Sequence, residues 1–293
     1  MPYALSRGTR LYYEDRGRGT PIVFVHEFSG DLESWAAQIA CFSRRYRCIA
    51  FNARGYPPSE VPQALAAYSY RIAADDIVSL MRHLNLSKAH IIGCSMGAYT
   101  TLQFGLRHAV KALSLTLVGI GAGSDLERQA QFRSDSESEA QRYLALGTAE
   151  VAKKYLDHPA RITLRRKDPR GFAEFYARVV EHSALGSANT LRGIQTKRPS
   201  LYTLAPSLAR FRVPVHVVCG DEDPSALLPS VFLKRACSSS RLTVVAGTGH
   251  AVNVEEPERF NALTAEFLAE VDSGRWRPRD SRSLNRSTLA QRA

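Results

Sequence analysis

The sequence lacks any apolar run long enough to cross a bilayer. A membrane-spanning helix needs roughly 20 consecutive apolar residues, and the apolar stretches of this 293-residue chain are much shorter. The amino terminus, Met-Pro-Tyr-Ala-Leu-Ser-Arg-Gly, also lacks the basic leader and the apolar segment of a secretory signal. These absences predict a soluble, cytoplasmic protein with no membrane partner.

Cysteine is scarce, and its spacing argues against two common uses. The five cysteines form no Cys-x-x-Cys pair; they are Cys41, Cys48, Cys94, Cys219 and Cys237. Most fall inside apolar segments, where a free thiol packs as a small hydrophobic group. Because their number is odd and their spacing irregular, neither a disulfide framework nor a metal site is indicated. We expect no cofactor.

Acidic residues are too few to balance the basic ones, and the formal net charge is +11. Much of the excess lies at the end of the chain, where Asp280 is the only acid among the arginines Arg275, Arg277, Arg279, Arg282, Arg286 and Arg292. Zinc-finger spacing, aromatic RNA-binding signatures and phosphate-binding glycine loops are missing. We therefore interpret residues 273–293 as a basic tail, frayed or lying on the surface, and expect no nucleic-acid partner.

Short apolar runs alternate with amphipathic stretches from the start of the chain to about residue 123, a pattern typical of parallel strands joined by helices. Several runs are continuously apolar, as expected for strands covered on both faces. Apolar residues at helical spacing predict a helix over residues 70–84. The predicted strands are 11–14, 22–26, 48–51, 89–92, 113–118, 215–219 and 242–245.

The pattern changes between residues 124 and 208. This stretch has longer helical patterns, many aromatic and charged residues and few candidate strands, and a buried strand follows it at residues 215–219. A helical segment inserted between two halves of one sheet explains this change better than a separate domain. We therefore predict a core of residues 1–123 and 209–272 with a helical cap at 124–208.

A nucleophile elbow stands out in the first half of the core. The apolar run at 89–92 leads directly into Gly93-Cys94-Ser95-Met96-Gly97, a Gly-x-Ser-x-Gly turn followed by helix-forming residues. A serine between a strand and a helix takes a cramped backbone conformation, and the flanking glycines prevent collisions with neighbouring groups. The elbow exposes the Ser95 hydroxyl to a substrate.

A serine nucleophile needs a base, and the base needs an acid that holds its tautomer. In folds with this elbow the order along the chain is serine, acid, histidine, with each residue on a loop after a later strand. Asp221, Glu222 and Asp223 follow the strand at 215–219, and His250 follows the strand at 242–245 in a glycine-rich loop. Both positions in the predicted order are therefore occupied.

At these motifs the chain resembles the α/β-hydrolase family, over roughly residues 1–272. The matching segments are Val25-His26-Glu27-Phe28, Asn52-Ala53-Arg54-Gly55-Tyr56, Gly93-Cys94-Ser95-Met96-Gly97, Gly220-Asp221-Glu222-Asp223, and Gly249-His250 followed by Glu255-Glu256-Pro257. The resemblance implies an α/β fold with a mostly parallel twisted sheet flanked by helices and a helical cap inserted after the sixth strand.

The resemblance also implies roles for individual residues. It assigns Ser95 as nucleophile, His250 as base and Asp223 as acid, with Asp221 as the lesser alternative. It assigns the backbone N–H groups of Phe28 and Met96 to an oxyanion hole. The chain departs from the family at Glu27, where His-Gly is the usual dipeptide. Glu27 is therefore either a solvated loop carboxylate or a contact to the substrate or the cap.

Several other residues can each be interpreted in two ways. His26 at its strand end is interpreted as structural, because His250 already supplies the base. Aromatic side chains of the cap either line an acyl pocket or hold the cap together; they are Phe132, Tyr143, Tyr155, Phe172, Phe175, Tyr176 and Tyr202. The candidates named for substrate binding are Glu27, Tyr143, Phe172 and Phe175.

The predicted function is hydrolysis of a carboxylic ester of small or medium size through an acyl-enzyme, as in carboxylesterases. Epoxide hydrolases and haloalkane dehalogenases of the family carry aspartate at the elbow, so Ser95 disfavours those activities. The alternatives are an enol-lactonase or a carbon–carbon hydrolase of ring-cleavage products, and a ligand receptor that keeps the triad. Acidic substrates of the first two would need a cap cation, and Arg161, Arg165, Arg166, Lys167 and Arg178 are available. The sequence leaves the oligomeric state open between a monomer and a homodimer.

Overall fold

The computed structural model describes residues 2–284, and an eight-stranded sheet lies at its centre. The strand order is β1-β2-β4-β3-β5-β6-β7-β8. β2 runs antiparallel to both of its neighbours, and the remaining pairs are parallel. The strands are β1 (Tyr3–Ser6), β2 (Thr9–Arg16), β3 (Thr20–Val25), β4 (Tyr46–Phe51), β5 (Ala89–Cys94), β6 (Ala112–Val118), β7 (Val215–Gly220) and β8 (Ser240–Val245).

Every predicted strand is confirmed, most with one to three extra residues. The central strands β5 and β7 are buried along their whole length, which explains their unbroken apolar sequence. β1 was not predicted, because four residues at the edge of a sheet carry too short a pattern. With β1 counted, the strand before the cap is the sixth, as the fold prediction requires.

Helices cover both faces of the sheet. The predicted helix at 70–84 is confirmed as α2, and it packs with α3 on one face around Ile77 and Leu102. On the other face, α1 and α12 pack around Trp35 and Phe260. The core helices are α1 (Ala36–Phe42), α2 (Tyr70–His83), α3 (Met96–His108), α9 (Ala205–Arg210), α10 (Leu227–Ala236), α11 (Val252–Glu255) and α12 (Pro257–Asp272).

The cap lies between β6 and β7 and has apolar clusters of its own. One cluster contains Tyr155, Leu164, Phe172 and Phe175, and the other contains Tyr143 with neighbours that include Phe28 of the core. Its helices are α4 (Gln129–Leu146), α5 (Thr148–Ala152), α6 (Pro159–Lys167), α7 (Pro169–Val180) and α8 (Ala184–Thr190). The cap is therefore a folded helical layer.

The chain beyond α12 returns to the core surface. Trp276 is buried against Phe267, with ring centroids 4.9 Å apart, and the Arg279 backbone N–H donates to the Ser238 carbonyl oxygen. Arg286 and Arg292 of the predicted tail lie outside the described residues. Over residues 2–284, no helix has the length and apolar character of a membrane span, and no cluster of His, Cys, Asp and Glu suits a metal ion.

Candidate active site

The elbow serine occupies a strained turn between β5 and α3. Ser95 has φ 53° and ψ −112°, in the region that favours glycine, and its N–H donates to the Val118 carbonyl oxygen at 2.7 Å. A Cβ on Gly93 would lie 2.3 Å from the Gly97 carbonyl oxygen, and one on Gly97 would lie 2.1 Å from the Val25 carbonyl oxygen. The two glycines therefore let the backbone segments approach closely enough to form the turn.

The loops after β7 and β8 bring Asp223 and His250 together. His250 Nδ1 lies 2.6 Å from Asp223 Oδ2, and both side chains are buried. The other carboxylate oxygen, Oδ1, accepts hydrogen bonds from the hydroxyl and backbone N–H of Ser225. Burial raises the pKa of Asp223, but the His250 and Ser225 contacts outweigh it and hold that pKa below its usual value. An ionised Asp223 makes Nδ1 the donor and leaves His250 Nε2 free to accept a proton.

Glu255 positions the His250 loop, a role that the sequence analysis missed. One carboxylate oxygen of Glu255 accepts from the Gly249 N–H at 2.7 Å, and the other from the Ala251 N–H at 3.2 Å. These bonds bracket His250 on both sides and satisfy two buried backbone donors. The matching Glu-Glu-Pro motif was a signal of family likeness, but nothing in it indicated which group Glu255 binds.

Ser95 and His250 line one cavity of about 330 Å³, here called the site cavity. It lies between the core and the cap, and Phe28 contributes to its wall from the loop after β3. Cap residues that sequence reasoning did not assign to the site complete the lining, among them Lys154, His158, Leu191 and Gln195. Asp223 lies behind His250, outside the lining.

The two residues predicted to supply oxyanion donors both lie near Ser95: Met96 directly follows it, and Phe28 lines the same cavity. Met96 is the first residue of α3, so its backbone N–H has no partner within the helix. Phe28 lies in a turn closed by a hydrogen bond from the Gly30 N–H to the Glu27 carbonyl oxygen at 3.1 Å. Met96 and the partly buried Phe28 belong to one apolar cluster. The unusual Glu27 therefore does not remove Phe28 from this region, and the role of the two N–H groups in an oxyanion hole stays a prediction.

His26 stabilises the same loop, in agreement with its structural interpretation. Its Nδ1 donates to the Glu27 carbonyl oxygen at 2.7 Å, and its Nε2 accepts from the Ala53 N–H at 3.0 Å. Burial lowers the pKa of His26, which favours the neutral ring that this bonding pattern requires.

Glu27 is not a solvated carboxylate; it contacts the cap. Its side chain is 1% exposed, and its Oε1 lies 3.3 Å from Arg161 Nη2 on α6, whose side chain is 4% exposed. A Cβ on Gly30 would lie 2.5 Å from the Glu27 carboxylate, so the missing side chain at Gly30 makes room for it. The guanidinium of Arg161 also stacks over the Phe175 ring, 4.4 Å from its centroid, and Arg161 lines the site cavity.

Two further contacts join this loop to the cap. The Ser29 and Tyr155 hydroxyl oxygens are 2.5 Å apart. Asp31 Oδ2 lies 3.3 Å from Arg178 Nε on α7. Together with the Glu27–Arg161 pair, they fasten residues 27–31 to three elements of the cap.

The other candidates for substrate binding lie inside the cap. Tyr143 packs against Phe28 with ring centroids 6.2 Å apart, and Phe172 and Phe175 pack in the Tyr155 cluster. None of these three lines the site cavity. The structure does not bring them to Ser95, and their role in substrate binding stays a prediction.

Residues 20–257 match the sequence model of a family described as the alpha/beta hydrolase fold. The chain belongs to the α/β-hydrolase fold family. This match covers most of the core and the whole cap, so the resemblance drawn from the motifs is confirmed.

Individual relatives are distant but cover nearly the whole chain. The 3-oxoadipate enol-lactonase 1 of Acinetobacter baylyi is 23% identical over 85% of this chain and 89% of its own length. The crystal structure of the enol-lactonase from Burkholderia xenovorans LB400 superposes with a TM-score of 0.79 at 24% identity, covering 92% of this chain and all of that one. A thermophilic esterase from Thermogutta terrifontis gives the same TM-score and identity over 92% of this chain and 98% of its own.

At these identities the solved structures establish the fold. Family membership and the hydrolases named among the relatives support a hydrolase activity for this chain.

Proposed function

We propose that the protein is a serine hydrolase that cleaves a carboxylic ester of a small or medium-sized molecule through an acyl-enzyme. The observation that carries the proposal is the 2.6 Å contact between His250 and Asp223, with His250 sharing the site cavity with the strained Ser95. A base oriented by an ionised acid beside a partly exposed serine is the arrangement that acyl transfer needs.

In the proposed mechanism the Ser95 hydroxyl attacks the ester carbonyl carbon as His250 Nε2 takes its proton. The N–H groups of Met96 and Phe28 stabilise the negative oxygen of the tetrahedral intermediate. His250 then returns the proton to the departing alcohol. Water, activated by the same histidine, hydrolyses the acyl-enzyme and releases the acid. Asp223 holds the ring and stabilises its charged form.

The test combines turnover with active-site labelling. Wild-type protein should hydrolyse short aryl esters and react with a fluorophosphonate at Ser95. Ser95→Ala should lower kcat by about 10⁴-fold or more, and Asp223→Asn by about 10³- to 10⁴-fold through loss of the correct tautomer. Ser273→Ala, an exposed serine far along the chain, is the matched control and should behave as wild type.

The labelling result also separates an enzyme from a receptor. A protein that neither cleaves any ester nor reacts with the fluorophosphonate would contradict the proposal. Labelling at Ser95 without turnover would instead favour a ligand receptor that keeps the triad.

Arg161 favours a second candidate, a hydrolase of acidic enol-lactones. Its Nη1 is buried without a hydrogen-bond partner among the described residues, and the side chain lines the site cavity, so a substrate carboxylate could satisfy it. Glu27 already neutralises the guanidinium charge, which is why the simple ester ranks first. The two candidates separate in a comparison of a carboxylate-bearing enol-lactone with its methyl ester: only the second candidate predicts a clear preference for the free acid.

A further inference from the structure

A second, larger cavity of about 600 Å³ adjoins the site cavity and is here called the outer cavity. It opens between the chain that follows β6 and the start of α10. The two cavities share Ala122, Phe132 and Asp135 in their linings. The two cavities therefore meet at these three residues, on the side of the site cavity that Phe132 lines.

The outer cavity holds exposed apolar side chains. Leu126 is 56% exposed and Leu228 is 71% exposed, and both line it together with Tyr202 and Pro229. A single exposed leucine is ordinary on a protein surface. Two of them on separate elements facing the same concave space, beside an aromatic ring, are instead typical of a binding site for an apolar group.

The charges of the two cavities differ. In the site cavity, the cations Arg161 and Lys154 are balanced by the carboxylates of Asp135 and Glu139. The outer cavity includes the carboxylates of Asp125, Glu127 and Asp135 against the single cation Arg128. An anionic group would be repelled from the outer cavity, whereas a neutral hydrocarbon gains by covering Leu126 and Leu228.

We propose that the outer cavity binds a neutral, medium-length hydrocarbon chain of the substrate while the ester group lies in the site cavity. The inference rests on the proposed function and adds the substrate class: esters with an uncharged apolar chain. This hydrocarbon chain belongs either to the acid part or to the alcohol part of the ester, and the same apolar contacts would recognise it in both cases.

Phe132 separates the cavities and is held on two sides. Gly123, at φ 74°, lies so close that a Cβ there would be 2.4 Å from the Phe132 ring, and the Arg198 guanidinium lies 5.7 Å from the ring centroid. Phe132 is the largest of the three side chains at the boundary, so we expect Phe132→Ala to open more space between the cavities and to admit branched chains.

The experiment measures kcat/KM for substrates that differ only in the chain. p-Nitrophenyl acetate, octanoate and hydrogen suberate form the acyl series, and ethyl and octyl acetate form the alcohol series. We expect octanoate or octyl acetate to exceed its short counterpart by about tenfold or more. Hydrogen suberate, of the same length but with a terminal carboxylate, should lose that advantage. The series that responds identifies which side of the ester occupies the outer cavity.

Variants test the cavity itself. Leu228→Asp and Leu126→Asp place a charge at an exposed position, so both should fold. Each should lower the ratio of long-chain to short-chain kcat/KM by about tenfold. Val110→Asp is the matched control, because Val110 is 80% exposed just beyond the carboxyl end of α3, whose other end carries Ser95. Its ratio should equal that of wild type.

A calorimetric measurement separates this inference from the proposed function. N-octylacetamide has the chain but no labile ester, so its binding does not depend on turnover. It should bind wild type more tightly than N-ethylacetamide and lose that preference in Leu228→Asp. Hydrolysis of acetate without any effect of chain length or of the leucine variants would overturn the outer-cavity inference alone. Chain-dependent binding without hydrolysis would overturn the proposed function alone.

Discussion

Asp31 shows how one carboxylate can serve two neighbours. Its Oδ1 accepts from the Glu33 N–H at 3.0 Å and caps the short helix Leu32–Trp35, and its Oδ2 faces Arg178 and His182 of the cap. Burial raises the pKa of Asp31, but the contacts with His182 and Arg178 outweigh it and bring that pKa below its ordinary value. The folded protein therefore binds a proton at Asp31 less tightly than the unfolded chain does.

That difference predicts a pH-dependent contribution to stability. The free energy of unfolding should include the Asp31 contribution above the unfolded pKa of about 3.9 and lose it as the pH falls through the folded pKa. Asp31→Asn keeps an oxygen for the cap but removes the charge, so its deficit in urea unfolding should be present at about pH 7 and shrink towards pH 3. Asp157→Asn, whose side chain is 94% exposed, should show little deficit at either pH. A deficit that does not vary with pH would contradict the charge argument.

The predicted triad residues were accessible from the sequence because each lies in the turn or loop that follows a strand. Ser95, Asp223 and His250 stand where β5, β7 and β8 end, and the apolar runs mark those ends. The Glu27–Arg161 pair was not accessible, since 134 residues separate its members and neither belongs to a periodic pattern. From its sequence position alone Glu27 has several interpretations, and only the folded cap distinguishes them.

Among the elements, α3 illustrates how the close packing of a helix depends on glycine, which has no side chain. Gly97 lies near the start of α3 against the backbone of β3, and Gly105 lies further along against the ends of the Leu115 and Phe211 side chains. Backbone atoms cannot yield, whereas the end of a side chain can rotate away. The two glycines should therefore differ in how well they tolerate a methyl group.

Gly97→Ala should lower the free energy of unfolding by about 1–3 kcal/mol through overpacking and slow the labelling of Ser95. Gly105→Ala should cost less, because Leu115 can move and alanine gains up to about 1 kcal/mol of helix propensity. Urea unfolding and the rate of fluorophosphonate labelling check both variants. Equal losses in the two variants would show that the backbone approach at Gly97 is not the limiting contact.

The elements of the cap were the least predictable. Only Ser136, Ala140 and Tyr143 are buried along the eighteen residues of α4, so its sequence has no continuous apolar stripe. By contrast, α2 buries seven of its fourteen residues on one side, and its bounds were predicted almost to the residue. Cap helices pack on one another and on the core through scattered contacts, which periodicity does not reveal.

In the molecule as a whole, the basic tail is attached to the core through Trp276, while most of its other described residues are exposed. Trp276 is buried beside Phe267, and the Arg241 guanidinium lies 4.1 Å from the Trp276 ring centroid. The burial of Trp276 could not be predicted from the sequence, because a single tryptophan in an arginine-rich segment belongs to no periodic apolar pattern.

Trp276→Ala should lower the free energy of unfolding by about 3 kcal/mol or more, the usual loss for a large buried aromatic. Trp276→Phe should recover part of that loss, and the exposed Arg277→Ala should stay within about 0.5 kcal/mol of wild type. Urea titrations of the full-length chain give these values. A Trp276→Ala protein as stable as wild type would mean that the segment does not contribute to the core.

The three contacts between residues 27–31 and the cap also bear on the route of substrate entry. Lifting the cap would break all three together with the packing of Phe28 on Tyr143, and polar contacts of this kind are worth about 1 kcal/mol each or more. We therefore expect the cap to stay in place over the site cavity. We then expect substrates to enter from the side, past Leu126 and Leu228. The width of that opening, rather than a movement of the cap, should determine which molecules reach Ser95.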